Sequence, residues 1–299
     1  MNVDDRPIAM FDSGFGGLTV ARAVMDLLPD EEVIYLGDTA RYPYGPRELA
    51  EVAEFAHQIA EELVERRGVK LLVVACNTAA AAALTTLAQR FDVPVVGVIE
   101  PGARSLLEAT VSGRVGVIGT VGTIGSGAYQ RTVAALAADR LPSVGGGLVS
   151  DGLVSDGMVS GGGVEGGGEV ELVALSCPGF VEFVERGEFG GEQVRVLAER
   201  MLAPAVEAKV DSLLLGCTHY PYLARTISDV MGPDVVLVSS ADETAFEVRR
   251  LLLGLGMAAG HRATPPTPTF ITTGDVNRFE ELGRTLLGPE LERAEQVVW

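Results

Sequence analysis

Short aliphatic runs recur along the chain, and most end at polar or glycine residues that precede a helical period. Such runs are typical of parallel strands buried on both faces, and their alternation with helices predicts an α/β fold. The predicted strands cover residues 7–11, 33–37, 71–76, 93–103, 114–120, 169–176, 213–217, 235–240 and 270–274. The predicted helices cover residues 18–28, 47–67, the alanine run 79–83, a segment from about 128, 181–189, 191–208, 241–253 and a last segment ending at 287.

The chain of 299 residues suits two domains of ordinary size. Residues 114–120 and the glycine- and threonine-rich turn after them repeat the strand–turn–helix pattern with which the chain begins. We therefore predict two similar α/β domains with mostly parallel sheets flanked by helices. The first comprises residues 1–99, with 240–299 returning to it, and the second comprises residues 100–239.

Residues 145–168 differ in kind from the rest, because they form a degenerate five-residue repeat of Gly, Val, Ser and Asp. Such a segment buries too little apolar surface to offset its ordering entropy. We expect a flexible surface excursion within the second domain that takes no part in the chemistry. A small β-solenoid is the less favoured alternative.

Two cysteines stand in matching contexts, LLVVACNTA at 71–79 and LLLGCTHYP at 213–221. Cys76 and Cys217 should lie at the carboxyl ends of buried strands, where α/β sheets place their ligands, and near helix N-termini that favour a thiolate. The alternative is that both are unreactive cysteines of the hydrophobic core. Because the context occurs twice, we predict a reactive pair. Cys177 also ends a strand, but Pro178 removes a backbone donor there, so we assign Cys177 to the core.

Two turns after strands are candidates for binding. The glycine-rich turn 12–17 predicts a cradle of backbone N–H groups for an anion, although its spacing matches neither nucleotide-binding pattern. Asp12 in front of that cradle would repel a phosphate and suits an ammonium group better. In the loop after residue 37, Pro43, Gly45 and Pro46 form a turn from which Tyr44 can project toward a substrate.

Composition narrows the function classes. The net charge is −18 with no long basic cluster, so we expect no nucleic-acid partner. The N-terminus has no signal-peptide pattern and no 18-residue apolar run occurs, so we expect a cytoplasmic protein without a membrane partner. Three widely spaced cysteines argue against disulfides and structural zinc. Neither Lys70 nor Lys209 suits a Schiff base, which disfavours a pyridoxal enzyme.

Six motifs in order resemble the glutamate racemases. They are FDSGFGGLTV, YLGDTARYPYG, VVACNTAAA, GVIGTVGTI, CPGFVEFVE and LLLGCTHYP, and the likeness covers nearly the whole chain apart from 140–168. The resemblance implies two α/β domains with the active site in the cleft between them. It also implies interconversion of L- and D-glutamate without a cofactor or metal, D-glutamate being destined for the bacterial cell wall.

The resemblance also implies roles for individual residues. Cys76 and Cys217 would be the two bases, Cys76 toward D-glutamate and Cys217 toward L-glutamate. Asp12 and His219 would assist them, and Glu185 would be a further acidic residue near the second cysteine. The implied substrate contacts are Asp12, Ser13, Tyr44, Gly45, Asn77, Thr78, Thr218 and His219.

The chemistry agrees with this assignment, because inversion by proton exchange needs one group to remove the α-proton and another to deliver one from the opposite face. The motif turns hold few cations, so oriented dipoles would spread the charge of the substrate carboxylates. We expect glutamate as the small-molecule partner and a homodimer. Two alternatives stay open: a racemase for aspartate or another amino acid, and a non-catalytic binding or inhibitory protein.

Overall fold

The computed structural model describes residues 3–140, 158–160 and 170–299. The strands are β1 (Ile8–Asp12), β2 (Val33–Gly37), β3 (Leu71–Val74), β4 (Val95–Gly97), β5 (Arg114–Gly119), β6 (Met158–Ser160), β7 (Glu171–Ser176), β8 (Ser212–Gly216), β9 (Val236–Ser239), β10 (Thr269–Thr272) and β11 (Ala294–Gln296). The helices are α1 (Leu18–Leu27), α2 (Leu49–Glu61), α3 (Asn77–Arg90), α4 (Ile99–Ala109), α5 (Val121–Gly125), α6 (Ala128–Arg140), α7 (Phe180–Glu185), α8 (Glu192–Glu207), α9 (Ala224–Met231), α10 (Ser240–Leu255) and α11 (Val276–Leu286). A π-helical turn, Glu62–Arg66, continues α2, and a 3₁₀ turn, Tyr220–Leu223, precedes α9.

The strands form two sheets flanked by helices, which confirms the predicted α/β class. The first sheet has the order β11-β10-β2-β1-β3-β4 and is parallel throughout. The second has the order β6-β7-β5-β8-β9, and only the pairing of β6 with β7 is antiparallel. Because β1, β3 and β8 are buried along their whole length, they need the continuous apolar sequence that the aliphatic runs provide.

The sequence prediction needs correction in four places. Residues 93–103 form the short strand β4 followed by the first turn of α4, and the predicted turn after β5 contains α5. Strand β11 was not predicted. Residues 158–160 of the supposed excursion form the edge strand β6, whereas the rest of 145–168 lies outside the described residues.

Sheet membership supports the proposed domains, since β1–β4, β10 and β11 share one sheet and β5–β9 the other. The boundaries themselves stay a prediction. Helix α4 connects the two sheets, and the larger core cluster includes residues of both, such as Val74 and Val117. Of the helices in the described ranges, none has the length and apolarity that a bilayer crossing requires.

Candidate active site

A cavity lies between the two sheets, where the turns after β1, β3 and β8 meet. A concave site between two α/β units is a usual place for a small ligand. The structure brings to its wall all the residues singled out in the sequence except Glu185. They are Asp12, Ser13, Tyr44, Gly45, Cys76, Asn77, Thr78, Cys217, Thr218 and His219.

Cys76 follows β3, forms the N-cap of α3 and is 5% exposed. Burial raises the pKa of its thiol, and the negative charge of Asp12 raises it further. Backbone hydrogen bonds from Ala79 and Ser13 act in the opposite direction. Desolvation thus opposes the helix terminus at Cys76 and keeps the pKa of this thiol above its ordinary value.

Cys217 follows β8 and belongs to a buried chain of three side chains. Its Sγ lies 3.8 Å from Nδ1 of His219, and Nε2 of His219 lies 3.1 Å from Oε1 of Glu185. Burial alone lowers the pKa of His219, but hydrogen bonds to Cys217 and Glu185 outweigh it and raise that pKa to about 10. The imidazole is therefore placed to exchange a proton with Sγ of Cys217. Glu185 therefore stands behind His219 and outside the cavity wall.

Asp12 fills the cradle that the glycine-rich turn was predicted to offer to an anion. Its Oδ2 accepts hydrogen bonds from the backbone N–H of Gly17 at 2.9 Å and of Gly14 at 3.4 Å. The cradle prediction is thus right about the N–H groups and wrong about their ligand. Oδ1 of Asp12 is buried without a partner, which leaves an acceptor beside Cys76.

Gly16 has to be glycine for steric reasons. A Cβ on Gly16 would lie 2.3 Å from Nδ1 of His219 and 2.6 Å from Oγ1 of Thr218. Any side chain there would displace the imidazole from Cys217. The turn after β1 thus packs directly on the turn that carries the second thiol.

Tyr44 lies on the cavity wall, but it does not project as predicted. It is 1% exposed, and its hydroxyl donates a short hydrogen bond to Oδ2 of Asp38. Asp38 also accepts from Arg41 Nε and from the Thr273 hydroxyl, both at 2.7 Å. The Tyr44 hydroxyl is therefore occupied, and the loop offers its ring and the backbone around Gly45 to a ligand.

Polar contacts join the two halves of the cavity. Oγ1 of Thr78, on α3, lies 3.0 Å from Oγ1 of Thr120 and 3.2 Å from Oγ1 of Thr123, on the α5 side. The N–H of Gly122 donates to the carbonyl of Gly45 at 2.9 Å. These contacts fix the positions of Thr78 and Gly45, two candidate substrate contacts of the first half, relative to the second half.

The described cavity wall carries no Lys or Arg side chain. Arg41 pairs with Asp38, and Arg47 pairs with Glu51 at 2.7 Å. A carboxylate bound here would therefore rely on backbone N–H groups, hydroxyls and a protonated His219. Among the described residues, no group of three His, Cys, Asp or Glu side chains is placed to hold a metal ion.

Sequence reasoning missed several wall residues, among them Tyr42, Thr120, Val121, Tyr220 and Glu182. Cys177, assigned to the core, is 1% exposed but also lines the cavity. Glu182 is exposed at the cavity edge. The turn after β5 was the one available signal for Thr120, because it repeats the pattern of the turn after β1 that carries Asp12.

The arrangement can hold a small polar molecule between two thiols that stand on turns of different sheets. Cys76 lies near the carboxylate of Asp12, and Cys217 lies beside an imidazole whose pKa is raised to about 10. Such a pair is suited to removing a proton on one side of a bound molecule and delivering one on the other.

Comparisons with known proteins find racemases. A model of the Asp/Glu/hydantoin racemase family matches residues 18–161. A glutamate racemase of Parafrankia sp. is 49% identical over 285 residues, 95% of this chain and 92% of the relative.

Two solved structures are also similar. Glutamate racemase isoform RacE1 from Bacillus anthracis is 35% identical with a TM-score of 0.82, covering 98% of this chain and 97% of that one. Glutamate racemase from Francisella tularensis, solved in complex with D-glutamate, is 30% identical with a TM-score of 0.82, covering 99% of this chain and 98% of that one.

Proposed function

Since this chain belongs to the glutamate racemase family of isomerases, we propose that it interconverts L- and D-glutamate by proton transfer between two cysteines, without a cofactor. One thiol removes the α-proton, and the other delivers a proton to the opposite face of the carbanion. The observation that carries the proposal is that Cys76 and Cys217, on turns after strands of different sheets, line the same cavity.

The residues around the two cysteines support a separate assisting side chain for each base. Asp12 acts on Cys76, whose pKa its negative charge raises, and its free Oδ1 is available to the substrate ammonium group. His219 acts on Cys217 through the 3.8 Å contact, and Glu185 holds the imidazole from behind. By this assignment Cys76 serves D-glutamate and Cys217 serves L-glutamate.

The substrate carboxylates would be held by dipoles and hydroxyls. The first N–H groups of a helix have no intrahelical acceptor, so the N-terminus of α3 at Asn77 and Thr78 can bind a carboxylate. Ser13 and Thr218 add hydroxyl groups on the same wall, and Gly45 and Tyr44 form one side of the cavity. A protonated His219 offsets part of the negative charge.

We further propose that the D-glutamate formed is used for peptidoglycan synthesis, in agreement with the family, and that the working enzyme is a homodimer. Aspartate, one methylene shorter, is the runner-up substrate. A hydrophobic wall distinguishes one methylene by only about 10–200-fold, so the preference for glutamate has to be measured.

The experiment is exchange in heavy water without added cofactor. The pure protein is incubated with L-glutamate, the α-proton signal is followed by NMR, and optical rotation is recorded in parallel. We expect both signals to decay, and a parallel incubation with L-aspartate should be much slower. The Cys217→Ala variant controls for contaminating racemases. A wild-type protein that leaves both signals of L-glutamate unchanged contradicts the proposed function.

A further inference from the structure

Tyr129, on α6, touches both of the turns that carry the thiols. Its hydroxyl lies 2.7 Å from Nδ2 of Asn77, the residue after Cys76. Its ring lies against Gly216, the residue before Cys217, where a Cβ would be 2.8 Å from Cε2 of the ring. Tyr129 is fully buried, so the ring has no room to take another position.

In the hydrogen bond to Tyr129 it is the Nδ2 end of the Asn77 amide that is engaged, which leaves the Oδ1 end for the cavity. Asn77 is 2% exposed and lies on the cavity wall. Its Nδ2 donates to the Tyr129 hydroxyl, which turns Oδ1 the other way, and Oδ1 is buried with no partner. An unpaired buried acceptor is costly, so it points to a donor that arrives with a ligand.

We propose that Tyr129 is a positioning residue that holds the Asn77 amide with Oδ1 toward the substrate, as an acceptor for its ammonium group. The inference rests on the proposed function, in which the substrate is a zwitterionic amino acid. A bound ammonium group has three N–H donors, and the unpaired buried oxygens of the cavity-wall residues include two amide or carboxylate acceptors, Oδ1 of Asn77 and Oδ1 of Asp12.

Without the Tyr129 hydroxyl, the Asn77 amide can turn by 180° and present Nδ2 to the cavity. That end repels an ammonium group and attracts a carboxylate instead. The substrate would then bind more weakly or in a shifted position. Gly216 contacts the ring of Tyr129 and not its hydroxyl. Replacing the hydroxyl with hydrogen therefore leaves the spacing of the two turns unchanged.

The first test is Tyr129→Phe, which removes only the hydroxyl. We expect KM for both enantiomers to rise about tenfold, the scale of one buried hydrogen bond, with kcat within about threefold. The pH profile should not move, since neither base is touched. Tyr222→Phe is the matched control: its hydroxyl donates to the Leu286 carbonyl at 3.4 Å, away from the cavity wall, so its KM should equal that of wild type.

The second test is a double-mutant cycle with Asn77. If Tyr129 acts through Asn77, then Tyr129→Phe/Asn77→Ala should have the same KM as Asn77→Ala alone, whereas independent roles give additive losses. Asn77→Asp, which keeps an acceptor, should bind substrate more tightly than Asn77→Ala.

The reverse order of these two variants would show that the cavity needs the donor Nδ2 and would overturn the proposal. An unchanged KM for a folded Tyr129→Phe would also overturn it. A wild type that is inactive on both enantiomers instead refutes the proposed function itself.

Discussion

Lys70 offers a sharp test of what stabilises the first sheet. It lies directly before β3, at the end of the sheet opposite the cavity, and its side chain is 0% exposed. Nζ is 2.5 Å from Oε2 of Glu31 and donates to the carbonyls of Asp4 at 2.6 Å and Met257 at 2.8 Å. One ammonium group thus joins the N-terminal segment, the turn before β2 and the segment after α10.

The substitution Lys70→Met removes this charge at similar volume. Glu31, whose side chain is 4% exposed, would keep only the N–H of Ala259, which donates to Oε1 at 2.8 Å. Leaving one partner of a buried ion pair uncompensated costs about 3–5 kcal/mol. In the double variant Lys70→Met/Glu31→Gln no buried charge remains, so we expect it to recover about 2–3 kcal/mol of that loss, a typical coupling for residues in contact.

The assay is urea unfolding of the wild type, both single variants and the double variant, followed by circular dichroism. The exposed pair Arg104–Glu100, with side chains 54% and 63% exposed, is the control, and Arg104→Met should cost less than about 1 kcal/mol. Racemase activity of folded Lys70→Met should equal that of wild type, because Lys70 is not on the cavity wall. A Lys70→Met cost no larger than that of Arg104→Met would refute the reasoning.

Three further predictions concern the site and the segment outside it. Asp12→Asn should give a larger primary isotope effect on kcat/KM with α-deuterated D-glutamate than with the L-enantiomer, and His219→Asn should reverse the order; equal effects in both variants would mean that the helpers do not serve separate sides. Rates in both should fall by about 10²–10⁴. Glu185→Gln removes a negative partner that raises the pKa of His219, so the alkaline limb of the kcat/KM profile should shift to lower pH, and an unmoved limb would argue against this contact. Deletion of residues 145–168 should leave turnover largely intact, as judged on a variant with normal circular dichroism and melting, whereas loss by orders of magnitude would show that the segment contributes.

Most of the buried parallel strands, and the strand ends at which Cys76 and Cys217 follow, could be predicted from the sequence. Such strands need continuous apolar runs, which are visible in the sequence. The start of α4 could not be predicted, since residues 93–103 were predicted as one strand. In fact Pro101 sits in the first helical turn, where its missing N–H would have no acceptor in any case.

The contacts across the cavity depend on tertiary packing, which no local pattern records. Nothing near Tyr129 in the sequence indicates that its hydroxyl, on α6, reaches Asn77 at the start of α3. Likewise, the glycine-rich turn predicts N–H donors but does not specify that Asp12 occupies them. The helix terminus beside Cys76 can be read from the sequence, but the burial that raises the pKa of its thiol is set by the packed domains.

The central claim is that two thiols act from opposite sides of one substrate, and the most direct test is α-proton exchange by single-cysteine variants in heavy water. Cys177→Ala is the control: it should keep most of the racemisation and lose on the order of 1 kcal/mol of stability, since no role in proton transfer is assigned to it. Cys76→Ala and Cys217→Ala should both fail to racemise either enantiomer. Each should exchange the α-proton only of the enantiomer that faces its remaining thiol, L-glutamate for Cys76→Ala and D-glutamate for Cys217→Ala. Near-normal racemisation by either variant would contradict the two-thiol account.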